Sequence, residues 1–143
     1  MHFLHKCLFL IKQITPQSWT VSLLYKEPVK RVEKQLKQFD KKQSVVILET
    51  SARTAVEAAA SLKCEVGAII KSLLFKTDEK FILCLIAGDK KASLNKIKKI
   101  FNIKDISMAP ANDVKNITGF TIGGVSPIGH LNETNILIDS SLE

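Results

Sequence analysis

What this chain lacks narrows its chemistry first. Its three cysteines, Cys7, Cys64 and Cys84, are odd in number and show no CxxC spacing. That argues against a disulfide framework or a thiolate zinc site and for a reducing compartment, so a cytoplasmic location is expected. His2 and His5 lie near Cys7 but make a poor metal set, and the only other histidine is His130. No G-x-S-x-G elbow, HExxH motif or pair of catalytic carboxylates is present. Hydrolysis by such a chain would rest on positioning and electrostatics rather than on a strong protein nucleophile. The GK[ST] and GxGxxG spacings are missing too, which excludes a P-loop and a dinucleotide fingerprint. No cofactor and no metal is expected. No apolar run is long enough to span a bilayer, and the opening residues 1–11 lack the h-region and cleavage site of a signal peptide.

Arginine is scarce as well. Arg31 and Arg53 are the only guanidinium groups among 21 basic residues, set against 14 acidic ones for a net charge of +7. Such an excess concentrates polyanions near the surface. Lysine, however, is the poorer bidentate phosphate ligand, so charge alone leaves nucleic-acid binding open.

What is present reads as one domain. The chain has 143 residues, 45% apolar and 24% charged, enough to bury a core without staples. Residues 1–27 are apolar without a clear period and read as an atypical N-terminal extension. From Pro28 onward the pattern is orderly. Val29, Val32, Leu36 and Phe39 recur at helical spacing, with Pro28 suited to the first turn. Residues 45–48, all β-branched or leucine, predict a short strand. Thr54 and Glu57 match a capping box ahead of an alanine-rich helix. Residues 68–76 and 81–87 predict two strands joined by a hairpin turn. Ser93 can cap a helix with a Leu94, Ile97, Ile100 and Phe101 stripe, whose other face carries Lys96, Lys98 and Lys99. Residues 112–118 predict a helix stopped by Gly119, and residues 135–138 a last strand. No repeat or linker interrupts this order. The expected fold is α+β, a mixed and mostly antiparallel sheet with flanking helices.

Two features can carry chemistry. Lys71 alternates with Ile69, Leu73 and Phe75 on one face of a strand that is apolar on both faces. An ammonium there either snorkels from an edge or lines a pocket. The second feature is the loop 118–130, where Gly123, Gly124, Pro127 and Gly129 fall within seven residues. Such a loop is either a tight connection or a cradle whose amides meet a carbonyl oxygen or oxyanion. His130 at its end is either a surface side chain or a donor to a substrate.

Segment 50–75 and loop 118–130, in this order, resemble the YbaK/prolyl-tRNA-synthetase-associated editing domain from about Val29 to Leu142. The resemblance implies an aminoacyl-tRNA deacylase that cleaves the ester of mischarged tRNA, Ala- or Cys-tRNA(Pro) in most members. It implies aminoacyl-tRNA as partner, with prolyl-tRNA synthetase a second candidate, and no membrane. It carries catalytic roles onto Lys71, Gly123, Gly124, Pro127 and His130, and substrate contacts onto Arg53, Thr54, Ser126 and Gly129. The lysine-bearing helix 93–101 becomes a candidate contact for the tRNA backbone. The family continues past residue 143 into a further strand and a Gly-rich segment. Residues 28–143 are therefore expected to form a C-terminally shortened domain, lacking one wall of the site. The alternative is a tRNA- or ligand-binding remnant without turnover.

Overall fold

The computed structural model describes residues 24–48 and 52–143. The proposed extension 1–27 therefore lies almost wholly outside the described residues, as do Thr50 and Ser51. Helix α1 (Glu27–Phe39) places its proline in the first turn and Glu27 near its positive end. Helix α2 (Ala55–Leu62) starts at Thr54, whose hydroxyl accepts the Glu57 N–H at 3.1 Å. Glu57 reaches back to the Arg53 N–H at 2.8 Å, one residue earlier than a standard capping box. A 3-10 turn (Val66–Ala68) then leads into strand β1 (Ile70–Lys76), which pairs antiparallel with β2 (Phe81–Ala87). Thr77 closes the hairpin: its N–H and its hydroxyl both donate to the Lys80 carbonyl.

Helix α3 (Leu94–Phe101) follows, capped by the Ser93 hydroxyl. Strand β3 (Ser107–Met108), helix α4 (Ala111–Thr118) and strand β4 (Asn135–Ile138) complete the fold, with a final 3-10 turn at Ser140–Leu142. The sheet order is β3-β1-β2-β4, with β4 parallel to β2 and the other pairs antiparallel. The α+β class with a mixed, mostly antiparallel sheet stands.

Two apolar layers hold the sheet. Leu74, Leu83, Leu85 and Ala87 pack on one face with Val114 of α4, Leu142 and Val125 of the Gly-rich loop. Phe75, Ile82, Cys84 and Ile86 pack on the other with Ile97 and Phe101 of α3. Burying a side chain of this size contributes about 1.5–3 kcal/mol, so these layers dominate the stability.

One sequence expectation fails. Residues 45–48 form no strand; they are half-buried irregular chain, and the Val45 N–H is taken by the Glu33 carboxylate of α1. Their β-branched composition favours a strand, but tertiary context overrides propensity: α1 takes a backbone N–H that a sheet would need. β1 is central in the sheet, but only Leu74 and Phe75 within it are fully buried; residues 70–73 are half-exposed. That open half holds Lys71.

Candidate functional site

Lys71 stands opposite Ile86 in the β1–β2 register, so its side chain leaves the sheet on the α3 face. Its ammonium donates to the Lys90 carbonyl at 2.5 Å, beyond the end of β2. Two clefts meet near there. One, of about 340 Å³, is lined by Gly67, Ile70, Ala87, Asp89 and Lys90. The other, of about 300 Å³, lies between α3 and β4 and is lined by Ile86, Lys91, Lys96, Ile97 and Leu137. Lys90 borders the first and Lys91 the second, so Lys71 reaches the ridge between them. No carboxylate pairs with Lys71 among the described residues.

The Gly-rich loop occupies the opposite face. Val125 packs beside Ile70 and Leu74, whereas Lys71 projects with Ile86. The sequence joined Lys71 and the loop into one site; the structure places them on two faces of the same sheet. Only the start of β1 lies between them. There Ser72, neighbour of Lys71, alternates onto the loop face opposite Leu85, with its hydroxyl buried and without a hydrogen-bond partner. Alternation along the strand puts Ser72 with Ile70 and Leu74, but nothing in the sequence signals that its hydroxyl is buried without a partner.

Within the loop the glycines do different work. Gly129 has a φ of +78°, and a Cβ there would meet the Val32 backbone nitrogen of α1 at 3.1 Å. Its carbonyl accepts from Arg31 Nε at 2.9 Å and its N–H donates to Gln35 Oε1 at 2.8 Å. Helix α1 thus grips this one residue through both of its peptide groups. Gly123 also has a positive φ, +83°, but faces open space. Gly124 is exposed and its N–H closes the turn onto the Thr121 carbonyl at 3.0 Å.

The remaining candidates are bound into the fold. His130 Nε2 lies 2.7 Å from the Ser126 carbonyl, which can only accept, so this nitrogen carries the proton. Its ring meets Phe120 edge-on at 6.0 Å, and the Arg31 guanidinium stacks 5.3 Å from the same Phe120. His130 therefore points into its own loop. Ser126 accepts the Ile128 N–H at 3.3 Å, and Pro127 lines a cleft shared with Gln35 and Leu131. Arg53 is exposed and Thr54 is occupied as the helix cap; the next residue, Ala55, lies against Gly88 with Ile69, beside the ends of β2 and β1. Arg31 and Gln35, which hold the loop, are not among the site residues that the sequence singles out. No local signal links them to Gly129, because the contact spans more than ninety residues of chain. No group of metal-ligating side chains occurs among the described residues.

Comparison with known proteins agrees with this architecture. The model of the aminoacyl-tRNA editing domain matches residues 49–143. A proline–tRNA ligase of Caldicellulosiruptor bescii is 30% identical over 103 residues, 72% of this chain but 17% of the ligase. The Bacillus subtilis protein YwhH is 33% identical over 116 residues, covering 80% of this chain and 73% of its own length. Among solved structures, a candidate trans-editing enzyme for prolyl tRNA synthetase superposes with a TM-score of 0.74 at 34% identity. It covers 80% of this chain and 73% of the other. The matched span takes in both Lys71 and the Gly-rich loop, and the chain belongs to the aminoacyl-tRNA editing domain family.

Proposed function

We propose that this chain hydrolyses the ester linking a wrong amino acid to tRNA, with Ala-tRNA(Pro) or Cys-tRNA(Pro) as substrate. The observation that carries the reading is Lys71: an ammonium without a carboxylate partner, at the junction of two clefts, on a family-matched segment. An aminoacyl ester is already activated, so holding it in place supplies much of the rate. Water attacks the carbonyl carbon, and the carbonyl oxygen takes up negative charge. The C–O bond to the tRNA ribose then breaks, its oxygen receives a proton, and free amino acid and tRNA leave. Lys71 sits where a cation can bind the developing oxyanion. For a cysteinyl ester, the substrate's own thiol can attack in place of water. The new C–S bond closes a four-membered thiolactone, the ribose oxygen leaves with the thiol's proton, and water later opens the ring to free cysteine.

A ligand lying across the start of β1 has Lys71 on one side and Ser72 with the loop face on the other. In this reading the loop, held rigid by Arg31 and Gln35, is a wall that sizes the amino-acid side chain. A wall of fixed shape suits a second sieve, because a synthetase cannot easily reject a smaller side chain. Similarity to proline–tRNA ligases supports the choice of tRNA(Pro).

The test is release of amino acid from Ala-tRNA(Pro) and Cys-tRNA(Pro) by the purified chain. Release at least tenfold above spontaneous hydrolysis is expected. A folded sample that deacylates no charged tRNA overturns the reading. Binding without turnover instead marks a remnant whose Lys71 stays committed to the Lys90 carbonyl.

A further inference from the structure

An aminoacyl ester carries an ammonium of its own, two bonds from the carbonyl carbon, and the chemistry proposed above leaves that group without a partner. It also brings a second cation close to the Lys71 ammonium, where like charges repel unless an anion stands beside them. Two carboxylates line the cleft of about 340 Å³ at the start of β1, Glu65 and Asp89. Asp89 immediately precedes Lys90, whose carbonyl accepts from Lys71. Its two oxygens are differently placed. Oδ2 pairs with Lys90 Nζ at 3.3 Å, an ion pair about half exposed at both ends and correspondingly weak. Oδ1 faces Gly67: a Cβ built there would stand 3.4 Å from it, so the missing methyl leaves a notch in front of this oxygen. Among the described residues no hydrogen bond or ion pair occupies Oδ1.

We propose that Asp89 Oδ1 receives the α-ammonium of the aminoacyl ester at the Gly67 notch, while Lys71 faces the ester carbonyl. The inference rests on the deacylase reading for the identity of the ligand, and Asp89 is not among the residues to which the resemblance gives a role. Three features favour it. First, the turn that carries Asp89 is the one Lys71 holds, so cation and anion flank the same end of the sheet. Second, Lys90 occupies only one carboxylate oxygen, and a carboxylate accepts on both. Third, the rest of the lining is apolar where a side chain needs it. Ile70, Ala87 and Leu142 border the cleft and belong to the layer that Val125 of the Gly-rich loop joins. Ammonium, carbonyl and side chain, the three groups around the α-carbon, thus each meet a surface of matching chemistry. Glu65 borders the same cleft but has no link to the turn that Lys71 holds, which makes it the natural comparison.

The test replaces the α-ammonium by a neutral group of nearly the same shape. Lactyl-tRNA(Pro) carries a hydroxyl where Ala-tRNA(Pro) carries the ammonium, and Asp89→Asn keeps the side-chain shape while removing its charge. For the wild-type chain, kcat/KM favours the alanyl over the lactyl ester about tenfold beyond the ratio of their spontaneous rates, the scale of one charge-assisted hydrogen bond. Asp89→Asn loses this preference by slowing the alanyl ester alone. Its lactyl rate stays within about twofold of wild type, the sign that Lys71 keeps its place. Glu65→Gln removes the same charge from the same cleft and keeps the preference. Thermal melts confirm folding. A preference unchanged in Asp89→Asn overturns the proposal, as does one lost equally in Glu65→Gln. Calorimetry with uncleavable 3′-amide analogues of alanyl- and lactyl-adenosine separates binding from turnover. If the chain cleaves no ester, yet prefers the alanyl analogue and only Asp89→Asn abolishes that preference, Asp89 stands and the catalytic reading falls. If it deacylates both esters alike, Asp89 falls alone. A chain that neither cleaves the esters nor binds the analogues overturns both.

Discussion

The Gly-rich loop and the Lys71 end of the sheet lie on opposite faces and are organised on opposite principles. In the loop the polar groups close on one another or on α1: Gly129 on Arg31 and Gln35, His130 on Ser126, Ile128 on Ser126. At the sheet end, Lys71, Lys91 and Lys96 form no ion pair among the described residues, and the Asp139 carboxylate beside Lys96 acts on it only at longer range. A region with its bonds satisfied internally specifies the fold. A region with charge left over has something to offer a ligand. The conspicuous motif is thus tied closely into the fold, although Pro127, Gly129 and His130 also line a cleft of about 370 Å³. In the proposed reading the plainer strand lysine carries the chemistry.

The largest effect should separate the two regions by activity. Lys71→Ala is expected to lower kcat/KM for deacylation at least a hundredfold, the scale of losing one group that stabilises an oxyanion. Its urea midpoint should stay near wild type, because the lost hydrogen bond is to a single exposed carbonyl. A variant that keeps its activity would remove Lys71 from the site and break the comparison. Next comes stability within the loop. Gly129→Ala combines a positive φ with contact against the Val32 backbone and should cost about 2–3 kcal/mol. Gly123→Ala has a similar φ but open space around it and should cost only about 1 kcal/mol. Urea denaturation of both variants measures the difference; equal losses would mean the grip of α1 on Gly129 contributes nothing.

The last effect appears only at high pH and concerns the floor of the cleft between α3 and β4, which Cys84 lines. Cys84 is 1% exposed, and burial pushes its thiol up to about 11 from 9.0. Burial favours the protonated thiol, so its stabilisation is complete below about pH 9 and is lost as pH rises through 11. Wild type should lose stability across that window more steeply than Cys84→Ala, followed by urea midpoints at pH 8, 9.5 and 11. Matching slopes would show a floor open to water.

Much of this was legible in the residues. The β1–β2 hairpin announced itself through two apolar runs around Thr77 and Lys80, and α2, α3 and α4 through Thr54, Ser93 and Gly119 at their ends. Each signal is local, confined to a few neighbours. β3 escaped because two exposed residues, Ser107 and Met108, show no alternation. Residues 45–48 misled because strand composition says nothing of whether an edge is available. The separation of Lys71 from the loop was hidden for a related reason. Alternation along β1 assigns Lys71 a face, but only the packing of Val125 and the grip of Arg31 on Gly129 reveal which face the loop takes. Those contacts are long-range, and no short window contains them.

The parallel pairing of β4 with β2 has a consequence in time. The β1–β2 hairpin can close as soon as its turn forms, since its partners are adjacent in the chain. β4 can dock only after residues 88–134 have wound through α3, β3, α4 and the Gly-rich loop to bring it alongside β2 in the same direction. Loop closure over that length is entropically costly and must precede any reward from pairing. The wall of the α3–β4 cleft is therefore the last part of the sheet to assemble. The α1 clamp on Gly129, shortly before β4, shortens the search by fixing where the returning chain must pass.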